Sequence, residues 1–276
     1  MNRKRAKWVT AATIAAGILF GILSSYVLTL KRYEIHTSKI DASVRLLLIS
    51  DLHSCYYGEN QIELVSAIEA CSPDVLMFCG DIADDKMPID NVQALLDAVA
   101  NKYPCFYVTG NHEFWSGKVD DIKYLFQSHG VTVLERGYAP LSIRREKFAV
   151  CGLDDPVGGH FDSGLIAAAE GVKTGFFSVL LSHRPERFPQ YIPYGFDLVL
   201  AGHAHGGLWR IPGILNGLIA PDQGFFPKYA GGEYQEGQTT MIVSRGLARE
   251  STRLPRFFNP VELVVIDLLP LARMQN

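Results

Sequence analysis

Short apolar runs recur along the chain, and each stops abruptly at a glycine or a polar residue. Residues 44–50 (VRLLLIS), 74–79 (DVLMFC), 105–109 (CFYVT), 148–152 (FAVCG), 177–181 (FSVLL) and 197–201 (DLVLA) are nearly continuous rather than alternating. Runs of four to eight such residues predict strands covered on both faces. Apolar residues at helical spacing predict helices over 61–70, 91–100, 118–128 and 162–170. Two later runs, 239–244 and 261–268, predict further strands with little helix between them. The stretch 210–236, rich in glycine, proline and aromatics, predicts a long ordered loop. Strands alternating with helices point to an α/β architecture. No internal repeat or low-complexity linker divides the body.

A different pattern precedes this body. Residues 8–30 form a run of 23 without a charge, rich in Ala, Ile, Leu and Gly. About 20 apolar residues span a bilayer. The apolar region of a signal peptide is shorter, about 7–15 residues, and ends at a small-residue cleavage site. Ser24-Ser25 is a poor match to one. The pattern therefore predicts a retained anchor over 1–32 rather than a cleaved signal, a stalk over 33–42, and one domain over 43–276. Four basic residues precede the run, and Lys31-Arg32 follows it. The positive-inside tendency predicts a single-pass membrane protein with its main domain outside the cytoplasm, although Lys31-Arg32 opposes that orientation.

Charge and cysteine content narrow the field. The chain has a net charge of -3, but residues 1–32 carry +6, so the remainder carries -9. An acidic body lacks the basic footprint of general nucleic-acid binding. The five cysteines are odd in number and form no C-x-x-C pair, which argues for buried thiols over a disulfide framework.

The chemistry lies in five polar blocks, each just after an apolar run. They are Asp51-Leu-His53, Gly80-Asp81-Ile-Ala-Asp84, Gly110-Asn111-His112-Glu113, Ser182-His183 and Gly202-His203-Ala-His205. Five of the eight histidines fall inside these blocks. Ligands of open α/β sheets bind beyond the carboxyl ends of the strands. Residues two apart in extended backbone point to the same side, so Asp51 with His53, and His203 with His205, can converge. Imidazole and carboxylate without thiolate suit manganese, iron or zinc. Two such ions together clamp the oxygens of an in-line displacement at phosphorus. Each block alone is common by chance; the five in one order at strand ends are not.

With all five blocks present between Asp51 and His205, the sequence resembles the calcineurin-like metallophosphoesterase superfamily, whose pattern is D-x-H, G-D-x-x-D, G-N-H-E, a solitary H and G-H-x-H. It looks most like a bacterial membrane-associated phosphodiesterase branch, on Gly206-Gly207, Ser244-Arg245-Gly246-Leu247 and Leu254-Pro255-Arg256-Phe257. The resemblance implies a sandwich of two mixed sheets flanked by helices, here with an N-terminal transmembrane helix. It implies two divalent metal ions, one held by Asp51, His53 and His205, the other by Asn111, His183 and His203, with Asp81 between them. It implies that His112 assists the leaving oxygen, with Asp84 and Glu113 orienting ligands. The expected activity is metal-dependent phosphoester hydrolysis, of a diester or pyrophosphate linked to a membrane or wall. A metal-stabilised binding protein on the same fold, or a nuclease, stands as the alternative.

Other residues carry weaker expectations. Arg184 follows a proposed ligand and is a candidate substrate contact, though a solvent-facing position suits it better. Asp154-Asp155-Pro156 reads as a turn. Phe225, Phe226, Tyr229 and Tyr234 read as packing within the long loop, or as the lining of an apolar substrate pocket.

Overall fold

A strand with apolar residues at every position needs cover on both faces. Val44–Ile49 shows how the chain supplies it. Leu46 and Leu48 share one apolar layer with Met77, Phe148, Val179 and Leu200, between two sheets. Leu47 and Ile49 face the opposite way, into a layer with Leu64, Ile68, Leu95 and Leu96 from the helices Ile62–Cys71 and Asp90–Val99. A third layer covers the far side of the second sheet, through Leu165, Ala168, Phe188 and Tyr191. The computed structural model describes residues 3–249 and 254–271, without the side chains of residues 3–6 and Val9.

The first sheet runs, edge to edge, through Thr29–Thr37, Glu262–Pro270, Val44–Ile49, Val75–Cys79, Cys105–Val108 and Thr132–Val133. The second runs through Gly232–Glu236, Thr239–Val243, Leu198–Ala201, Phe177–Leu181, Glu146–Leu153 and Arg136–Ile143. Each sheet mixes parallel and antiparallel pairs. The α/β sandwich of two mixed sheets flanked by helices is thus the observed architecture.

The transmembrane expectation is overturned. Among the described residues no helix is long and apolar enough to cross a membrane. The uncharged run is not one helix. Its helical part ends at Leu23, a short turn covers Ser24–Tyr26, and Thr29 and Leu30 already belong to a strand. The helical remainder from Trp8 is about 24 Å long at 1.5 Å per residue, short of the ~30 Å hydrocarbon core. Its end is built into the body. Phe258 N–H donates to Gly21 O at 2.9 Å, a Cβ at Gly21 would collide with the Phe257 ring, and Ser25 is buried. The single-pass assignment and the orientation drawn from it fall with that helix. The flanking charges of Arg3, Lys4 and Arg5 lie outside the described side chains.

Two further differences concern strands. Thr29–Thr37 pairs in parallel with Glu262–Pro270 over its whole length, so residues 33–37, half of the segment expected as a stalk, are sheet edge. Arg136–Ile143 has mostly exposed or half-buried positions and only Leu141 buried, so it showed no apolar run. The loop 210–236 carries the small ladder of Ile219–Ala220 with Gly224–Phe225, and the strand Gly232–Glu236.

Candidate metal centre

Five parallel strands deliver the five polar blocks to one place. Val44–Ile49, Val75–Cys79 and Cys105–Val108 are neighbours in the first sheet, and Phe177–Leu181 and Leu198–Ala201 in the second. The backbone turns sharply at each exit. Asp51, His53, Asp81, His203 and His205 all have positive φ, between 47° and 64°. Non-glycine residues there cost on the order of 1–3 kcal/mol each and persist only where surrounding structure holds them. The glycines beside them supply space. A Cβ at Gly110 would overlap Asp81 Oδ1, and one at Gly202 would overlap Ser50 Oγ.

Three groups of candidate ligand atoms result; one is His53 with Asp84 and His112, and the other two are joined by Asp81. Asp51, His53, Asp81 and His205 each place one such atom within 4.8 Å of the others, and so do Asp81, His183 and His203. All six are buried. Asn111, also buried, opens the short helix Asn111–Trp115. In that helix His112 N–H donates to Asp81 Oδ1 at 2.9 Å.

Each imidazole is fixed by its other nitrogen. His53 Nδ1 lies 3.0 Å from Asp84 Oδ2, and His183 Nδ1 lies 2.8 Å from Cys79 O. His203 Nε2 lies 2.8 Å from Asp222 Oδ2. His205 is held through its backbone carbonyl, which accepts from Asn259 Nδ2 at 2.7 Å, and its Nδ1 lies 3.4 Å from Arg256 Nη2. Four inward atoms are left without a hydrogen-bond partner among the described residues: His53 Nε2, Asn111 Oδ1, His183 Nε2 and His203 Nδ1. A buried polar atom without a partner costs about 1–3 kcal/mol. Four of them in one cluster, with imidazole, carboxylate and amide donors and no thiolate, fit a pair of divalent cations.

The buried charges at the cluster act strongly on one another. Burial acts to raise the Asp81 carboxyl, but His183 and His53 outweigh it and hold the group well below the usual carboxylate range. Burial acts to lower His183, while the charge of Asp81 raises it to about 10. His205 is pushed well below the usual imidazole range by burial, and by the charges of His53 and Arg256.

His112 stands at the rim, half-buried. Its Nδ1 lies 2.7 Å from Asp85 Oδ1, and its ring meets the His53 ring edge-on at 4.4 Å. Burial opposes its protonation; the Asp84 hydrogen bond and the charge of Asp81 prevail and raise it to about 9. Glu113 is fully buried and accepts four backbone N–H bonds, from Asp81, Ile82, Ala83 and Gly110, at 2.7–3.0 Å. It ties the second and third polar blocks together.

Several contributors take roles that the sequence did not show. Arg184 is buried, not solvent-facing. Its Nε and Nη2 donate to Asp155 at 2.5 and 2.9 Å, and its Nη1 pairs with Asp222. Asp155, read as a turn residue, is thus the buried counter-ion of Arg184, and it also caps the turn Pro156–Gly158. Asp222 comes from the long loop, which had shown only turn formers. Asp85 directly follows Asp84, and only adjacency to a block marked it. Arg256 is fully buried; burial pushes it down to about 10. Leu247 N–H donates to Ser50 O and Asp51 O, both at 3.1 Å, which brings the 244–247 motif against the first block.

Comparison with known proteins agrees with this geometry. A family model described as calcineurin-like phosphoesterase matches residues 44–207. An uncharacterised metallophosphoesterase of Bacillus subtilis, YkuE, is 32% identical over 81% of this chain and 78% of its own length. An uncharacterised metallophosphoesterase of Aquifex aeolicus is 29% identical over 89% of this chain and 94% of its own. Among solved structures, the NAD nucleotidase of Haemophilus influenzae superposes with a TM-score of 0.50 at 16% identity, covering 75% of this chain and 46% of that one. At that identity the likeness concerns the fold alone.

Proposed function

The chain belongs to the calcineurin-like phosphoesterase family and is a metal-dependent phosphoric ester hydrolase; from that premise we propose that it is a dinuclear phosphodiesterase or pyrophosphatase. The observation that carries this reading is the convergence of Asp51, His53 and His205 on one side, and of His183 and His203 on the other, around Asp81, with His53 Nε2, His183 Nε2 and His203 Nδ1 left without a hydrogen bond. Asp51, His53 and His205 would hold one divalent cation, Asn111, His183 and His203 the other, and Asp81 would lie between. Bound manganese, iron or zinc would supply Lewis-acid charge and acidify a water molecule.

The chain's own groups do the rest. Asp85 fixes His112 Nδ1, which leaves Nε2 for the substrate. A water molecule loses one proton to solvent as its oxygen adds to phosphorus, the P–O bond to the leaving group breaks, and His112 gives its proton to the departing oxygen and takes one back from solvent. Arg184, with its nitrogens paired to Asp155 and Asp222, positions rather than binds.

The surroundings favour a substrate with two arms. A cavity of about 550 Å³ borders the His112 side, lined by Asp84, Asp85, Met87, Pro88, Ile89 and Leu125 among others. Another, of about 640 Å³, borders the His203 side, with Arg184, Arg187, Gln190 and Asp222. A diester or pyrophosphate has a substituent for each; a monoester has one.

The test is hydrolysis of bis-p-nitrophenyl phosphate beside p-nitrophenyl phosphate by protein stripped of metal and reloaded with manganese or zinc. The diester should be cleaved at least about tenfold faster, only with metal, and His112→Ala should lose about 10²–10⁴-fold. Preference for the monoester would overturn the diester reading.

A further inference from the structure

A cavity of about 320 Å³ lies where the edge strand Thr29–Thr37 meets the loop after His205, and it takes no part in the chemistry above. Lys31, Arg210 and Arg245 line it, against two carboxylates, Glu233 and Glu262. The carboxylates do not neutralise it. Glu262 is committed to Arg245, whose Nε donates at 2.6 Å, whose backbone N–H donates at 2.9 Å and whose Nη2 also pairs with it. Glu233 is exposed.

Arg210 is the group left over. Its Nη2 donates to Asn216 Oδ1 at 2.5 Å. Its Nη1 is buried and has no hydrogen-bond partner among the described residues. That nitrogen is closed off beside Gly231, where a Cβ would lie 3.4 Å from it, so it acts on the cavity through its charge. Burial and the nearby charge of Arg245 both lower its pKa, so a counter-charge in the cavity would relieve it. Two further donors stand beside it. The Tyr33 phenol is kept protonated by burial and by the charge of Glu262. Lys31 Nζ sits 5.2 Å from the centre of the Tyr33 ring.

We propose that this cavity binds a tetrahedral oxyanion, a phosphate or sulfate group free or carried as a monoester, with the uncompensated Arg210 guanidinium as its main counter-charge and Tyr33 and Lys31 as its donors. Groups from a strand and a separate loop suit an ion with oxygens on all sides better than a planar carboxylate. The volume exceeds that of a bare oxyanion and leaves room for a small organic carrier.

The experiment is isothermal titration of the metal-loaded full chain with inorganic sulfate and, separately, with glycerol 1-sulfate. Neither is a phosphoester, so neither is consumed. Arg210→Gln should weaken binding at least tenfold, and the exposed Lys31→Gln about threefold, while cleavage of an aryl phosphodiester stays unchanged in both. Tighter binding of the ester than of sulfate would identify an organic monoester as the occupant; equal binding would identify the bare ion. Sulfate held at the metal pair would ignore Arg210. A titration unchanged in Arg210→Gln, or lost in neither variant, overturns the proposal.

Discussion

Asp222 Oδ2 lies 2.8 Å from His203 Nε2, and that contact decides which nitrogen of His203 faces the metal cluster. With Nε2 held by a carboxylate, the partnerless Nδ1 points inward. The hydrogen bond from His203 holds Asp222 well below the usual carboxylate range, so the carboxylate is ionised when it orients the ring. Loss of such an orienting partner typically costs 10–100-fold in metal affinity. Asp222→Ala should therefore need about tenfold more metal to reach half-maximal hydrolysis, with excess metal restoring the rate. A metal titration of activity checks this; an unchanged half-saturation point sinks it.

Gly110 tests the space at the cluster. Its φ of -109° is open to any residue, so alanine there strains no backbone. The added Cβ overlaps Asp81 Oδ1 all the same, and it also presses on the Asp81 backbone nitrogen at 2.6 Å. Gly110→Ala should lose some stability and at least about 100-fold in hydrolysis, because a misplacement of about 1 Å at a reacting centre costs that much. Circular dichroism beside the rate measurement separates the two effects, and a near-normal rate would show that Asp81 is not held where described.

Glu113 is a prediction about stability. Its carboxylate accepts four backbone N–H bonds, and burial and the charge of Asp81 push its pKa up against them. Glutamine offers one acceptor oxygen in place of two and turns a donor towards N–H groups. Glu113→Gln should destabilise the protein by about 2–4 kcal/mol, from one or two buried donors left unpaired at about 1–3 kcal/mol each. Urea denaturation reads this directly; a change under half a kcal/mol would contradict the tie between the two blocks.

Arg184 and Asp155 form a buried pair, and removing Asp155 leaves Arg184 with only the half-exposed Asp222 and, at 3.9 Å, Glu186 as counter-charges. Asp155→Ala should cost about 3–5 kcal/mol. The double change Asp155→Ala with Arg184→Met should recover part of that loss, since no charge is then stranded. Equal destabilisation by the single and double changes would show that packing rather than charge is at stake.

The convergence of the candidate ligands was legible because each of them sits one to four positions after an apolar run, so local pattern and strand topology agree. The sandwich was legible for the same reason: Val44–Ile49 and Phe177–Leu181 are buried on both faces and read as continuous apolar runs. The rest depends on pairing across long stretches of chain. Hydropathy measures the run 8–30 as one length and cannot see that Thr29 N–H donates to Val261 O, which makes its end a strand. Asp155 looks like a turn residue because it is one; its partner Arg184 is 29 positions away. Asp222 sits among turn formers, and only the fold brings it to His203. Arg136–Ile143 hides because one face is open to solvent.

The central claim is that Asp81 joins two ion sites that act together in phosphoester cleavage. The most direct measurement is the rate of bis-p-nitrophenyl phosphate hydrolysis by metal-free protein as manganese is added in known equivalents, with bound metal counted on the same samples. The account predicts a rate that climbs until two ions are bound per chain and is flat beyond. It also predicts an Asp81→Asn variant that binds fewer than two and stays at least about 100-fold slower, the loss of a charge that would hold both ions. Full activity at one ion per chain, or undiminished activity in Asp81→Asn, would contradict it.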